Sequence, residues 1–304
     1  MTNDATSPDK IFETSTANVC LQRDLYTLPG DTPEQRMLIE KFYAENYEAH
    51  YDRVYQILTD PKKRQLTEEE RQLIISIVVT MFYRTTKWIN QHNEFIGRVL
   101  EQGYQLAQEI GKNYILLDGE KISFEGKTVD QLRKELKTEN RPGYVLTQLQ
   151  LALRLIESRI ANDGIQVGKL VDDGVEFITS DNPVSYYRSD DSKPVPFDPN
   201  NIMELPLDNK HVLMLMPFAA NEDKDIRNYI SRVPYSGGIC STQKLTSNHN
   251  QFLNSERFLI GTDNALRDYL RTKEATEKSL TADELKGLKS YDDILKKAKD
   301  FGLL

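Results

Sequence analysis

The sequence has few of the residues and segments that mark several common classes of protein. It contains only two cysteines, Cys20 and Cys240, so a disulfide framework is disfavoured and a reducing cytoplasm is expected. Its four histidines show no metal-ligand spacing with these cysteines, so a zinc site is not expected, and no cofactor follows from the sequence. The longest apolar run, residues 212–220, is too short to span a bilayer, and residues 1–7 lack the basic and apolar regions of a signal peptide.

Motifs of familiar enzyme classes are missing as well. No serine lies in a Gly-x-Ser-x-Gly elbow, and no phosphate-binding loop is present. The net charge of −8 opposes an extended nucleic-acid-binding surface, because binding to a phosphate backbone needs clustered lysine and arginine. What remains is a chain of 304 residues, 38% of them hydrophobic, which is typical of a globular protein with a sizeable core.

The most distinctive stretch is residues 175–184, where an apolar segment runs into small polar side chains and a proline. Asp181 is a candidate catalytic base, metal ligand or orienter of a substrate hydroxyl, and Ser180 and Asn182 are candidate ligand-binding residues. The alternative is an Asx turn, in which these side chains satisfy backbone donors.

The first half of the chain has helical periodicity. A capping box at Thr32 predicts a helix to about Leu58, and a second at Thr67 predicts a helix to about Ile110, with a break near Thr85-Thr86 or Gly97. The first helix carries a stripe of apolar and tyrosine side chains at positions 43, 47, 51, 54 and 58.

Two charged residues lie on these apolar stripes. An inward Arg84 needs a carboxylate or several hydrogen-bond acceptors, and Glu40 and Asp181 are the candidate partners. A carboxylate beside a guanidinium is able to bind phosphate or activate water, so Glu40 and Arg84 are candidate catalytic residues. The alternative is a structural ion pair between helices. Asn248 is a candidate ligand-binding amide for the same site, or a helix side chain with a structural hydrogen bond.

From residue 165 the periodicity changes to that of strands. Residues 165–170 and 175–179 flank a predicted turn at Asp172-Asp173-Gly174, and residues 202–207 and 211–218 flank a second turn. We therefore predict an α+β fold, with a helical N-terminal half packed on a mostly antiparallel sheet with flanking helices in the C-terminal half. Residues 1–304 are expected to form a single compact domain, comprising a disordered start (1–10), a mainly helical half (11–162), a sheet-containing half (163–272) and a helical tail (273–304).

Several of these segments together resemble one bacterial family, catalogued as domain of unknown function 4238. The resemblance covers most of the chain to about Leu270, and the matching segments are residues 17–27, Ile39-Glu40, Tyr83-Arg84-Thr85, residues 177–184, residues 203–207, and Asn248 nine residues before Arg257. It implies a bacterial or phage context and no known activity. Family members usually open with a His-x-x-Pro motif and an aromatic-rich strand, which this sequence lacks. Either the start is truncated or the chain is a divergent branch, without any chemistry that this histidine provides.

Two functions from different classes follow. The first is a cytoplasmic hydrolase, such as a phosphodiesterase or nuclease in phage defence or counter-defence, a context suggested by the genomes that the family occupies. The second is a non-enzymatic binding or regulatory protein that recognises a small ligand or a protein partner. The hydrolase requires Glu40, Arg84, Asp181 and Asn248 to converge at an open pocket.

Overall fold

The fold is α+β, as predicted. The computed structural model describes residues 2–4, 7–15, 26–117, 120–139, 141–190, 194, 198–218 and 224–279. Helices dominate up to residue 162, and a five-stranded mixed sheet with helices follows. The chain divides into two compact units, residues 24–43 with 83–152 (the smaller unit) and residues 1–23 with 44–82 and 153–304 (the larger unit). The expectation of a single domain stays a prediction.

The smaller unit is mainly helical. Its elements are α1 (Pro33–Arg36), most of α2 (Leu38–Asn46), α5 (Thr86–Glu109), the hairpin of β3 (Tyr114–Leu117) and β4 (Glu120–Ser123), α6 (Val129–Glu139) and the first half of α7 (Arg141–Asn162). Ala107, Phe124 and Leu132 form the buried cluster that joins α5, the hairpin and α6.

The larger unit carries the remaining helices and strands. Its helices are α3 (Tyr51–Thr59), α4 (Glu68–Tyr83, of which Tyr83 falls in the smaller unit), the second half of α7, α8 (Gly237–Asn254) and α9 (Asp263–Ser279). Short 3₁₀ helices occupy Glu48–His50 and Lys224–Asn228.

The five-stranded sheet is mixed, in the order β10-β5-β9-β8-β7. Its strands are β5 (Asp163–Leu170), β7 (Ser185–Tyr187), β8 (Ile202–Pro206), β9 (His211–Pro217) and β10 (Ile230–Tyr235). Only β10 and β5 are parallel. One sheet face contributes to a buried cluster with α8, made of Leu170, Phe177, Ile202, Val212, Met214, Tyr235 and Cys240.

A second sheet of the larger unit includes the start of the chain. Its order is β2-β1-β11-β6, with β1 (Thr2–Asp4), β2 (Ser7–Phe12), β6 (Thr179–Ser180) and β11 (Phe258–Ile260) all antiparallel. The sequence favoured disorder for residues 1–10, whereas the structure places most of them in strands. Pairing with β11 supplies backbone partners from more than 250 positions away, which local polarity does not indicate.

The positions predicted for the start of the first helix and for the break in the second are confirmed, whereas the predicted length of the first helix is not. The capping box at Thr32 is present, and the predicted break follows Tyr83, with Thr85 in an extended conformation (φ −114°, ψ 154°) before α5. The single first helix to Leu58 is wrong, because the chain leaves helical geometry at Tyr47 (φ −129°, ψ −54°) and is divided into α1, α2, a 3₁₀ turn and α3.

The predicted hairpin of residues 165–170 and 175–179 is also wrong. Gly174 does adopt a positive φ of 71° in a turn, but the chain then leaves the sheet and forms a strand only at Thr179. Both edges of β5 are already occupied, by β9 and β10. The second predicted hairpin, β8 with β9, is confirmed. Cys20, most of the motif at residues 17–27 and the tail beyond Ser279 lie outside the described residues.

Candidate functional site

Residues 176–184 are held along most of their length by hydrogen bonds from polar side chains of α8. The segment contains only the two-residue strand β6. Asn248, Gln251 and Asn254 follow each other at intervals of three residues, so they lie on one face of α8. Asn248 accepts a hydrogen bond from the amide of Ile178 (2.9 Å) and donates one to the carbonyl of Glu176 (3.1 Å). A helix side chain thus satisfies backbone groups that a neighbouring strand would otherwise pair.

The side-chain amides of Gln251 and Asn254 bind the next part of the same segment, residues 180–184. Gln251 donates to the carbonyl of Pro183 at 2.9 Å and accepts from the hydroxyl of Ser180 at 2.9 Å. Asn254 donates to the carbonyls of Asn182 (2.6 Å) and Val184 (2.9 Å). The candidate ligand-binding residues Ser180, Asn182 and Asn248 therefore all take part in this backbone network, and all three are buried.

Asp181 is bound to the backbone as well. Its two carboxylate oxygens accept the amide hydrogens of Glu256 (3.0 Å) and Arg257 (2.9 Å), between α8 and β11. Burial raises the pKa of the Asp181 carboxyl, and these backbone hydrogen bonds oppose the rise. This geometry is the one expected of a side chain that fixes a turn, and a catalytic role for Asp181 stays a prediction.

Glu40 and Arg84 form an ion pair within the smaller unit. Arg84 Nη2 lies 3.1 Å from Glu40 Oε2, and both side chains are about three-quarters buried. The guanidinium also lies over the rings of Tyr43 (4.7 Å) and Tyr26 (5.4 Å), which meet edge to face. Asp181 and Asn248 belong to the larger unit, so the predicted convergence of the four residues stays a prediction.

Sequence reasoning did not single out Glu204, the centre of a second polar cluster. Glu204 lies in β8 within the segment Ile202-Met203-Glu204-Leu205, and its side chain is completely buried. Its Oε1 atom has no hydrogen-bond partner among the described residues, and its Oε2 atom accepts only a long 3.5 Å hydrogen bond from Tyr187. A carboxylate in the middle of an apolar strand was the signal that could have identified it.

Two further buried hydroxyls are associated with Glu204. Ser185 stands directly opposite it in the β7–β8 register, and directly opposed residues of an antiparallel pair point to the same face. Ser247 approaches it from α8 and favours its ionised form. Neither serine Oγ accepts a hydrogen bond from the described part of the chain, and both residues are at least 96% buried.

The environment of Glu204 makes its ionisation sensitive to pH near neutrality. Burial raises the pKa of its carboxyl to about 7, and the hydroxyls of Ser247 and Tyr187 offset only part of this effect. Burial also raises the pKa of the Tyr187 hydroxyl well above its ordinary value and that of Tyr235 to about 12, so both tyrosines are neutral. A titratable carboxyl among neutral hydroxyls is suited to bind a ligand or to exchange a proton.

The Glu204 cluster extends along the sheet towards solvent. The Tyr187 hydroxyl also lies 3.7 Å from the sulfur of Met214, the register partner of Glu204, and the amide of Gln166 lies 3.8 Å from the same sulfur. Tyr187 and Gln166 are only half-buried. We call Glu204, Ser185, Ser247, Tyr187, Met214 and Gln166 the Glu204 face.

A third polar group occupies the turn between β8 and β9. Asp208 accepts hydrogen bonds from the Tyr55 hydroxyl (2.7 Å) and from the His211 amide (2.7 Å), and its carboxylate lies 2.9 Å from His211 Nδ1. Although burial opposes it, these hydrogen bonds hold the pKa of the Asp208 carboxyl well below its usual range. The Asp208 carboxylate therefore stabilises the hairpin turn, because it binds two groups of His211 across the turn and ties the turn to Tyr55 of α3.

Cys240 and His249, a cysteine and a histidine of α8, have structural surroundings. Cys240 is buried in the core, and His249 lies 3.2 Å from the Tyr269 hydroxyl and stacks on Phe252. Within the described ranges, no group of three histidine, cysteine, aspartate or glutamate side chains is placed to hold a metal ion. None of the helices in these ranges is both long and apolar enough to cross a membrane.

Comparison with known proteins gives a family and no activity. The model of one protein family matches residues 2–265, and that family is described as a protein of unknown function, DUF4238. Neither the curated proteins nor the solved structures include a match to the chain.

Proposed function

The chain belongs to the DUF4238 family, whose description names no activity, and we propose from its geometry that it binds a small polar ligand at the Glu204 face. In this proposal it is a cytoplasmic binding or regulatory protein, and the ligand is recognised by the carboxyl of Glu204 and the two serine hydroxyls. The acidic net charge and the small size of the cluster favour a small molecule over a nucleic acid.

The observation that carries this proposal is the unpartnered Oε1 atom of the fully buried Glu204. Buried polar atoms are almost always hydrogen-bonded, because an unmade hydrogen bond costs about 1–3 kcal/mol and more for a charged group. On the same face, the Oγ atoms of Ser185 and Ser247 also accept no hydrogen bond from the described residues, although the Ser247 hydroxyl stabilises the Glu204 carboxylate. A ligand with hydrogen-bond donors would satisfy all three oxygens.

The half-buried members of the Glu204 face support a route for this ligand. Tyr187 lies between Glu204 and Met214 and is partly open to solvent, as is Gln166 two strands away. A change in the rotamer of Tyr187 would uncover the carboxyl without moving the sheet. These two side chains would then contact the part of the ligand that remains near the surface.

A small-molecule binding screen tests the proposal. The full chain is heated at pH 8 with a library of polar metabolites, and the midpoint of unfolding is measured for wild type, Glu204→Gln and the control Glu157→Gln, which changes an exposed glutamate of α7. We expect at least one compound to stabilise wild type and the control, with an apparent Kd at least tenfold weaker for Glu204→Gln. Equal affinity in all three proteins for every stabilising compound would overturn the proposal.

A second candidate is the hydrolase, favoured by the ion pair of Glu40 and Arg84. A guanidinium held by a carboxylate over two tyrosine rings is a plausible anchor for a phosphate group, and this candidate retains Glu40, Arg84 and Asp181 in catalytic roles. The link to phage defence or counter-defence belongs to this candidate alone.

The hydrolase is tested with chromogenic phosphodiester, phosphomonoester and carboxyl ester substrates. We expect turnover of the phosphodiester by wild type and by Arg98→Lys, which changes an exposed arginine of α5, and a loss of at least 100-fold in Arg84→Lys and Glu40→Gln. Turnover that survives both substitutions, or no turnover of any of the three substrates, rejects this candidate.

A further inference from the structure

The carboxyl of Glu204 has no cationic partner. No lysine, arginine or histidine of the described residues forms an ion pair with it or lowers its pKa by its charge. The groups that face it are the hydroxyls of Tyr187 and Ser247, the phenol of Tyr235 and the thioether of Met214. A buried carboxylate is strongly disfavoured unless a positive charge compensates it.

The surrounding atoms are suited to coordinate a positive charge. The Oε1 atom of Glu204 and the Oγ atoms of Ser185 and Ser247 are buried and accept no hydrogen bond within the described ranges, and Ser185 is the register partner of Glu204. The Tyr187 hydroxyl provides a fourth oxygen on the same side, 3.5 Å from Oε2. Carboxylate and hydroxyl oxygens are the ligands of hard cations and of ammonium groups.

We infer that Glu204, Ser185 and Ser247 form an internal site for a compact monovalent cation, either an alkali metal ion or the ammonium group of a primary amine. This inference rests on the proposed function, since it gives the chemical class of the ligand that the Glu204 face binds. The cation neutralises the carboxylate, and its coordination or hydrogen bonds are completed by the serine and tyrosine oxygens.

The charge of the site selects a monovalent cation over a divalent one. Glu204 brings a single negative charge, and the described residues offer no set of three acidic, histidine or cysteine side chains that would hold a divalent metal. Coordination of Mg²⁺ or Ca²⁺ by one buried carboxylate would leave an uncompensated positive charge in the core. The bulk of a quaternary ammonium ion would keep it from the hydroxyl oxygens, and it has no N–H to donate.

A proton competes with the cation for the same carboxylate. The pKa of Glu204 near 7 means that about a tenth of the carboxyl is ionised at pH 6 and about nine-tenths at pH 8. Binding is therefore expected to be about tenfold weaker at pH 6 than at pH 8, and to release protons at pH 7. A ligand that binds without contacting the Glu204 carboxylate would show neither effect.

The test uses the full chain in buffers whose only other cation is tetramethylammonium. The midpoint of thermal unfolding is followed at constant ionic strength while sodium, potassium, ammonium or methylammonium chloride replaces tetramethylammonium chloride at pH 6 and pH 8. We expect at least one compact cation to raise the midpoint in a saturable manner, with an apparent Kd about tenfold higher at pH 6. The alkali metal arms and the methylammonium arm distinguish the two sources of the charge.

Three variants keep the test decisive. Glu204→Gln, which retains the shape of the side chain, should lose the cation-specific stabilisation, and Ser247→Ala should weaken it at least threefold, while Glu157→Gln should retain it. Isothermal titration of the effective cation in two buffers with different ionisation enthalpies should show proton release in wild type and Glu157→Gln but not in Glu204→Gln. The inference is overturned if no compact cation differs from tetramethylammonium, or if Glu204→Gln responds as wild type does. If the cation test fails in this way but a neutral metabolite binds wild type and not Glu204→Gln, the proposed function remains supported and only the cation inference is rejected.

Discussion

Asn248 and Ile178 are joined by a hydrogen bond of 2.9 Å, in which the Asn248 side-chain oxygen accepts the amide hydrogen of a residue 70 positions earlier. The same side chain donates to the carbonyl of Glu176 at 3.1 Å. One helix residue therefore binds a donor and an acceptor of the segment that precedes β6. This relationship shows that the polar segment at residues 176–184 owes its conformation to α8.

Replacement of Asn248 by alanine should destabilise the protein strongly. One buried and one partly buried backbone group lose their partners, each at a cost of about 1–3 kcal/mol, so the free energy of unfolding should fall by roughly 2–5 kcal/mol. Urea denaturation measures the change, with Asn250→Ala as the control from the same helix. A loss below about 1 kcal/mol would show that water replaces Asn248 and that α8 does not fix this segment.

The substitution Asp181→Asn should also destabilise the fold, by roughly 1–3 kcal/mol at pH 7. An amide side chain keeps one of the two oxygens that accept the Glu256 and Arg257 amides, and it turns an N–H towards the second amide. Thermal unfolding of wild type and variant gives the difference. A variant that melts as wild type does, and yet loses activity or ligand binding, would instead establish a direct chemical role for Asp181.

For Arg84 we expect a moderate effect on stability. The ion pair with Glu40 is three-quarters buried and the guanidinium stacks on two tyrosines, so Arg84→Ala should lower the free energy of unfolding by roughly 2 kcal/mol. Arg84→Lys should recover only part of this loss, because a lysine retains the charge without the planar group. Chemical denaturation alongside Arg98→Ala is the measurement, and full recovery by lysine would exclude a contribution from stacking.

Glu204 should make stability depend on pH near neutrality. Its folded-state pKa of about 7 exceeds the ordinary 4.5, so the folded state holds the proton more tightly than the unfolded state. The stabilisation is fully present below about pH 4.5 and is lost as the pH rises to about 7, with a total of roughly 3 kcal/mol. Burial also raises the pKa of Asp163, to about 6, so the Glu204 part must be obtained by difference.

That difference is the free energy of unfolding of Glu204→Gln minus that of wild type, measured between pH 4 and pH 8 in tetramethylammonium buffer. It should increase with pH and level off above about pH 7, because glutamine does not ionise. A difference that stays constant across this range would mean that the Glu204 carboxyl has an ordinary pKa in the folded protein.

The sequence by itself determined the local features, because their physical causes lie within a few residues. The helix caps predicted at Thr32 and Thr67 are present, since each threonine hydroxyl accepts the amide hydrogen three residues later. The break between α4 and α5 and the tight hairpin of β8 and β9 also follow from short-range residue preferences. The change from helical to strand periodicity at residue 165 was sufficient to predict the α+β fold class.

Only the tertiary structure decided which strands pair and what each polar side chain contacts. The turn at Asp172-Asp173-Gly174 formed without the expected hairpin, because β9 and β10 already occupy both edges of β5. Asp181 and Asn248 have the residue types of a reactive site, but their partners are backbone groups distant in sequence. Glu204 appeared as one charge within an apolar strand, and only the packing of β7, β9 and α8 around it showed that no described lysine, arginine or histidine pairs with it. A side chain's chemistry depends on its surroundings, and those come from long-range packing that no local pattern encodes.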